Sequence, residues 1–149
     1  SNSGGAVLRQ IFPGIDLAEL SRQIDPERSS GLDLRPLACR GERFPVDDPN
    51  QEPVLTPRPV SDSLYLHGLL EGLSKIERDG WQRLQQLGAP APKKLVTLGG
   101  GARNPQWRRL RERMLGLPIR SCTTPPAAGV ARLALTALQQ KSPAANHSE

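Results

Sequence analysis

Apolar residues recur along the chain in two rhythms. Between Asp62 and Gly88, Leu66, Leu69, Leu70, Leu73 and Ile76 fall three and four apart, the spacing of one helix face. Trp81, Leu84 and Leu87 extend that face, Ser61 or Asp62 supplies the cap, Gly80 stands near a break, and Gly88 makes a fitting stop. Gly68 and Gly72 lie on one side of this helix and allow a close backbone approach. They read as tight packing, since the surrounding run is too short and too charged for a membrane dimer motif.

Lys94 to Leu98 has the other rhythm, a short continuous run suited to a buried strand, and it ends in Gly99-Gly100-Gly101-Ala102. A helix follows, with Asn104 at its cap, Pro105 at its first position, Trp107, Leu110 and Met114 on one face, and Gly116 closing it. Leu117 to Cys122 predicts a second strand, at an edge because of Pro118. Thr124 and Pro125 then open a last helix that is apolar nearly all round as far as Leu138. Residues 141–149 read as a disordered polar tail.

The first half is less regular. Ser1-Asn2-Ser3-Gly4-Gly5 is a glycine-rich turn feeding a short helix from Ala6 to Phe12, with Ser3 or Asn2 as its cap. Leu17 to Ile24 predicts a second short helix capped by Asp16. From Asp25 to Ser61, seven prolines beginning at Pro26 and ending at Pro59 exclude a long helix or a central strand. The expectation there is an extended loop lying against a surface, with one short strand near Leu34 to Cys39. The order of the elements gives an α/β layer. Two or three strands do not complete a sheet, so the chain is expected to be the end of a larger fold. Residues 1–140 form one partial domain in this reading, and residues 25–61 are its proline-rich loop.

Composition narrows the choices. Hydrophobic residues make up 36% of the chain but aromatics only 3%, so the core must be built from Leu, Val, Ile and Ala. No apolar run approaches the ~18 residues of a membrane span, and no signal peptide is visible. The net charge of +5 allows anionic partners without demanding them. Met114 is the only methionine, so the chain is expected to be processed, tagged or cut from something longer. Cys39 and Cys122 read as reduced thiols of a cytosol-like compartment, with one long-range disulfide left open. With no His/Cys cluster there is no structural zinc site.

The glycine turn is the most informative local feature. Glycines admit a ligand to the main chain, and the following helix aims free N–H groups at the same spot. A phosphate or a nucleotide edge would suit it, and Asn104 adds an amide that both donates and accepts. A plain strand-to-helix turn with Asn104 occupied as cap fits the spacing equally. No GK[ST] follows, so this is not a Walker A loop, and Asn104 stands where a dinucleotide motif would have its third glycine. A dinucleotide-binding fragment of an oxidoreductase is the weaker reading.

Five motifs in register carry a more specific likeness: Ser1-Asn2-Ser3-Gly4-Gly5-Ala6-Val7-Leu8-Arg9-Gln10; Gly41-Glu42-Arg43-Phe44-Pro45 with Asp48-Pro49; Pro57-Arg58-Pro59; Gly68-Leu69-Leu70-Glu71-Gly72; and Gly99 through Trp107. Together they resemble the C-terminal part of an FGGY-family carbohydrate kinase, most similar to the D-ribulokinase-like (xylulose-kinase-like) branch of cyanobacteria and plants. The agreement runs to about Ala134.

The resemblance implies an actin-like, ribonuclease-H-type ATPase fold whose two large domains close over a sugar and ATP. It implies ATP or ADP as cofactor, Mg²⁺ held mainly through the nucleotide, and a sugar substrate, a ketopentose such as D-ribulose. Gly100, Gly101 and Asn104 inherit contacts to the adenosine and α-phosphate, Gly5 with Gly4 beside it lies by the nucleotide, and Arg9 is a looser match. A valine at Gly101 is therefore expected to block the ligand. The family's catalytic aspartate, which takes the proton from the attacking sugar hydroxyl, lies upstream of Ser1, as does the sugar pocket. No catalytic residue is assigned here, and the chain alone is expected to be inactive. The implied location is the cytoplasm, or a plastid in a plant. One departure stands out: Thr124-Pro125-Pro126-Ala127-Ala128 replaces the family's Thr-Glu-Ala-Ala, and any contact of that Glu is lost.

Other features have plainer readings. Asp47, Asp48, Glu71 and Glu77 are solvated or structural acids, and His67 is a packing or surface histidine. Trp81 and Trp107 are core anchors. Arg103, Arg108, Arg109, Arg111, Arg113 and Arg120 form the solvated face of an amphipathic helix, without the aromatic platforms of a nucleic-acid site. A non-catalytic nucleotide-binding or interaction module is the alternative to a kinase.

Overall fold

The computed structural model describes residues 1–122. Within them the chain is mixed α/β. It runs α1 (Gly5–Ile11), α2 (Leu17–Ser21), α3 (Asp62–Gln86), β1 (Leu95–Thr97), a 3₁₀ turn (Gly100–Arg103), α4 (Pro105–Leu115) and β2 (Ile119–Ser121). The last helix expected from Thr124 and the tail at 141–149 lie outside the described residues.

Helix α3 is the spine. Ser61 caps it, its hydroxyl accepting from the Leu64 N–H, and the helix continues unbroken for 25 residues. Leu66, Leu69, Leu70 and Leu73 are buried against Leu8 and Phe12 of the first helix and its cap, Ile24, Leu34 and Leu110 of α4. The break expected at Gly80 is absent. The Phe44 ring packs there instead, its Cε1 2.9 Å from where a Cβ would stand. The apolar face also ends sooner than expected, with Leu84 at the surface and Leu87 66% exposed.

Strands β1 and β2 pair in parallel, Leu95 opposite Ile119 and Thr97 opposite Ser121, with α4 as the connection between them. Leu95 and Ile119 are buried, whereas the paired Val96 and Arg120 face outward. Such a two-stranded parallel sheet is compatible with an α/β layer at its smallest.

The proline-rich segment lies against α3, as its composition suggested. The expected strand at Leu34 to Cys39 shrinks to one antiparallel bridge, Arg35 with Val54, at 2.8 and 2.9 Å. Pro36 follows one partner and Pro53 precedes the other, and their rings fix φ at about −65°, away from the ~−140° of an antiparallel strand. Cys39 and Cys122 are not joined by a disulfide. Among the described residues no helix is long and apolar enough to cross a membrane.

Gly68 and Gly72 have the packing role that their spacing suggested. A Cβ on Gly68 would meet Leu32 Cδ1 at 2.7 Å, and one on Gly72 would meet the Leu34 carbonyl oxygen at 2.4 Å and Pro36 Cδ at 2.7 Å. Alanine at position 72 would gain roughly 1 kcal/mol of helix propensity. It would also force a backbone carbonyl away, and overpacking of that kind costs about 1–3 kcal/mol. Gly72→Ala is therefore expected to lower stability in denaturant unfolding; an increase would show that loop 32–36 is not seated on the helix.

Candidate functional site

A cleft of about 570 Å³ opens between α1, the end of β1 and the start of α4. One wall is Gly5, Ala6 and Arg9 of α1; the other is Gly101, Arg103 and Asn104. Leu66, Leu70 and Glu77 of α3 lie along it as well.

The α1 wall is set by its approach. Gly4 is the N-cap, with φ +136° and no side-chain cap bond. The expected cap from Ser3 or Asn2 fails because stronger partners take this segment. The Asn2 N–H donates to Glu42 Oε1 at 2.9 Å, Asn2 Nδ2 donates to the Gly41 carbonyl at 2.6 Å, and the Ser1 hydroxyl donates to Glu42 Oε2 at 2.8 Å. Gly5 follows, with nothing among the described residues within 4 Å of where its Cβ would stand.

The opposite wall begins at Gly99, whose φ of +84° turns the chain out of β1. The Ala102 N–H then returns to the Gly99 carbonyl and the Asn104 N–H to the Gly101 carbonyl, both at 3.2 Å. Gly100 opens this 3₁₀ turn. Asn104 caps α4, its Oδ1 accepting from the Trp107 N–H at 3.1 Å, while its Nδ2 donates to Ser21 Oγ at 2.7 Å. Both ends of that amide are thus engaged inside the protein, which leaves one N–H and one lone pair for a ligand.

The turn is only partly bare. Trp107 Cζ3 lies 2.4 Å from where a Gly101 Cβ would be, so the protein's own ring fills that side. A valine at Gly101 would strike Trp107, and its effect would report packing as much as ligand. Gly101 still borders the cleft.

Charge in the cleft is uneven. Both oxygens of Glu77 are held by Arg111, at 2.8 Å each. Arg9 and Arg103 also line it, and neither makes an ion pair among the described residues. Two guanidiniums remain to attract an anion. No cluster of three acids, histidines or cysteines that could hold a metal occurs among the described residues.

Gly5, Arg9, Gly101 and Asn104 are therefore brought to one cleft, with Gly4 and Gly100 next to them in the chain. Sequence reasoning missed Ser21, whose link to Asn104 spans 83 residues, and it took Trp107 only as a core anchor. It also misjudged part of the basic helix. Arg109 binds Glu27 and Glu112, and Arg113 reaches the Pro26 and Arg28 carbonyls and Glu71 at 2.8, 3.1 and 3.0 Å. Arg103, Arg109 and Arg120 are exposed as expected, whereas Arg111 and Arg113 are shielded and tie α4 to α3 and to the proline-rich loop. Glu71 is a buried structural acid that also accepts from the Ser30 N–H, and His67 packs beside it with Nε2 3.4 Å from Oε1. No protein-family model matches the chain.

Burial opposes ionisation of Glu42, yet hydrogen bonds from the Ser1 hydroxyl and the N–H groups of Asn2 and Arg43 outweigh it and hold its carboxyl below the ordinary range. The folded-state pKa is thus below the unfolded one, so this anchor is complete above about pH 4.3 and is lost as pH falls through the folded value. The wild type should lose Tm more steeply than Glu42→Gln on acidification below that point. Parallel Tm curves would show that Glu42 does not tie down the segment before α1.

Proposed function

We propose that this chain is the nucleotide-binding part of an ATP-dependent carbohydrate kinase of the FGGY type, acting on a sugar hydroxyl of a ketopentose such as D-ribulose. The observation that carries the reading is Gly5. A glycine there has no positive φ to explain it and no neighbour among the described residues that a Cβ would strike, yet it borders the cleft opposite Gly101 and Asn104. A ligand lying on the backbone accounts for what the protein's own packing leaves unexplained.

The cleft is within the ~300–1,000 Å³ usual for a small-molecule site. The exposed backbone at Gly5, with the half-buried Gly101 opposite, admits the flat edge of an adenosine, the remaining Asn104 N–H can donate to it, and Arg9 and Arg103 offset phosphate charge. Mg²⁺ fits only as a companion of the phosphates, since no metal-binding cluster stands among the described residues. When bound, MgATP supplies the transferable phosphoryl group. Glu77, the one carboxylate lining the cleft among the described residues, is held at both oxygens by Arg111 and is no base for a sugar hydroxyl. These residues bind and orient, and proton removal falls to an aspartate outside them. That same lack of a free carboxylate is what favours the second reading, a nucleotide-binding module without chemistry.

Titration of the full-length protein with MgADP tests both. Gly5→Leu should weaken binding about tenfold, near 1.4 kcal/mol, with Tm unchanged or raised because glycine is the poorer helix former. Equal ADP affinity in that variant removes the nucleotide from this cleft. Sugar-dependent ATP turnover separates the kinase from the silent module.

A further inference from the structure

The guanidinium of Arg111 grips the glycine turn from both sides. On the strand side, Nη1 donates to Thr97 Oγ1 at 3.0 Å, two residues before Gly99. On the helix side, its Cζ stands over the Trp107 ring, 5.9 Å from the centroid, and that ring is the one pressed against Gly101. The remaining edge, Nε and Nη2, is fixed by both oxygens of Glu77, which projects from the spine helix into the same cleft. The Arg111 side chain is only 13% exposed. A fork of donors with a stackable face can serve three partners at once, and a lysine cannot.

We propose that Arg111 is the positioning residue of this cleft: braced by Glu77, it fixes the height of the Gly99–Arg103 backbone through Thr97 and Trp107, so that the turn is preformed before a ligand arrives. The consequence for a nucleotide rests on the function proposed above; the brace itself does not. Preorganised backbone spares the ligand the cost of ordering the turn. Glu77, read as a solvated or structural acid from the sequence, thereby acts on the turn through Arg111.

Hydrogen exchange of the full-length protein tests the brace without any ligand. In Arg111→Lys the amides of Ala102 and Asn104, which close the turn, should exchange about tenfold faster, while those of α3 hold their wild-type rates. Thr97→Val keeps the strand's shape and removes only the hydroxyl; it should move the same amides in the same direction by less. MgADP affinity should fall with the exchange change in both variants at temperatures where circular dichroism remains native. Unchanged exchange at the turn in a folded Arg111→Lys overturns the brace. Faster exchange with undiminished ADP affinity, or with no ADP binding by the wild type, keeps the brace but overturns its role in nucleotide binding. Acceleration spread equally over α3 would reduce Arg111 to a general stabiliser and overturn the proposal.

Discussion

A chain segment can lie on a helix at van der Waals distance from its backbone only where side chains are missing. At Gly72 the Leu34 carbonyl comes within 2.4 Å of a Cβ position, so segment 32–36 crosses α3 over a gap left by two glycines one turn apart. That seating buries Leu34 and Leu37 and brings Ser30 to Glu71. Once the loop covers that side of α3, Leu66 and Leu70 are left toward the cleft and Glu71 toward Arg113. The α3 side of the cleft follows from this close approach.

Charge then fixes what packing leaves free. Helix α4 carries arginines whose partners lie on other elements: Glu27 for Arg109, Glu77 for Arg111, and Glu71 with two loop carbonyls for Arg113. Exposed pairs such as Arg109 with Glu27 add little, because water screens them. Arg111 and Arg113 are better shielded, and their acids would be left uncompensated if either were removed. Their contribution is registry. A guanidinium that must satisfy a carboxylate and a carbonyl together tolerates few rotations of α4 about its axis, and the rotation of α4 decides where Trp107 and the glycine turn stand.

What could be read in the sequence was local. Asp16, Ser61 and Asn104 were recognisable as caps because a cap is completed within three residues, and each caps its helix here. The cap of α1 was misread because the competing acceptor, Glu42, lies forty residues away in a loop whose path no periodicity records. Arg111 and Arg113 of α4 were misread for the same reason: a run of arginines along a helix looks alike whether the far side is water or a folded loop. The shortened strand at Arg35 was legible in principle, since Pro36 and Pro53 flank its one bridge. Of the cleft, the motif residues Gly5, Gly101 and Asn104 were visible by resemblance, whereas Ser21 and Glu77 had no signal beyond their chemistry.

Glycines in a candidate ligand site have three separable causes, and only one of them concerns the ligand. Gly99 is required by its left-handed backbone, and Gly101 by the ring of Trp107. Either would be retained in a protein that bound nothing. Gly5 has neither excuse, and it stands in a helix, where an alanine would serve stability better by up to roughly 1 kcal/mol. The glycines therefore divide into residues that shape the turn and one whose cost no contact among the described residues offsets. Under the function proposed above, the compensating gain comes from a ligand over Gly5, and the cleft between α1 and the turn, with two guanidiniums that make no ion pair among the described residues, gives that ligand a size and a charge.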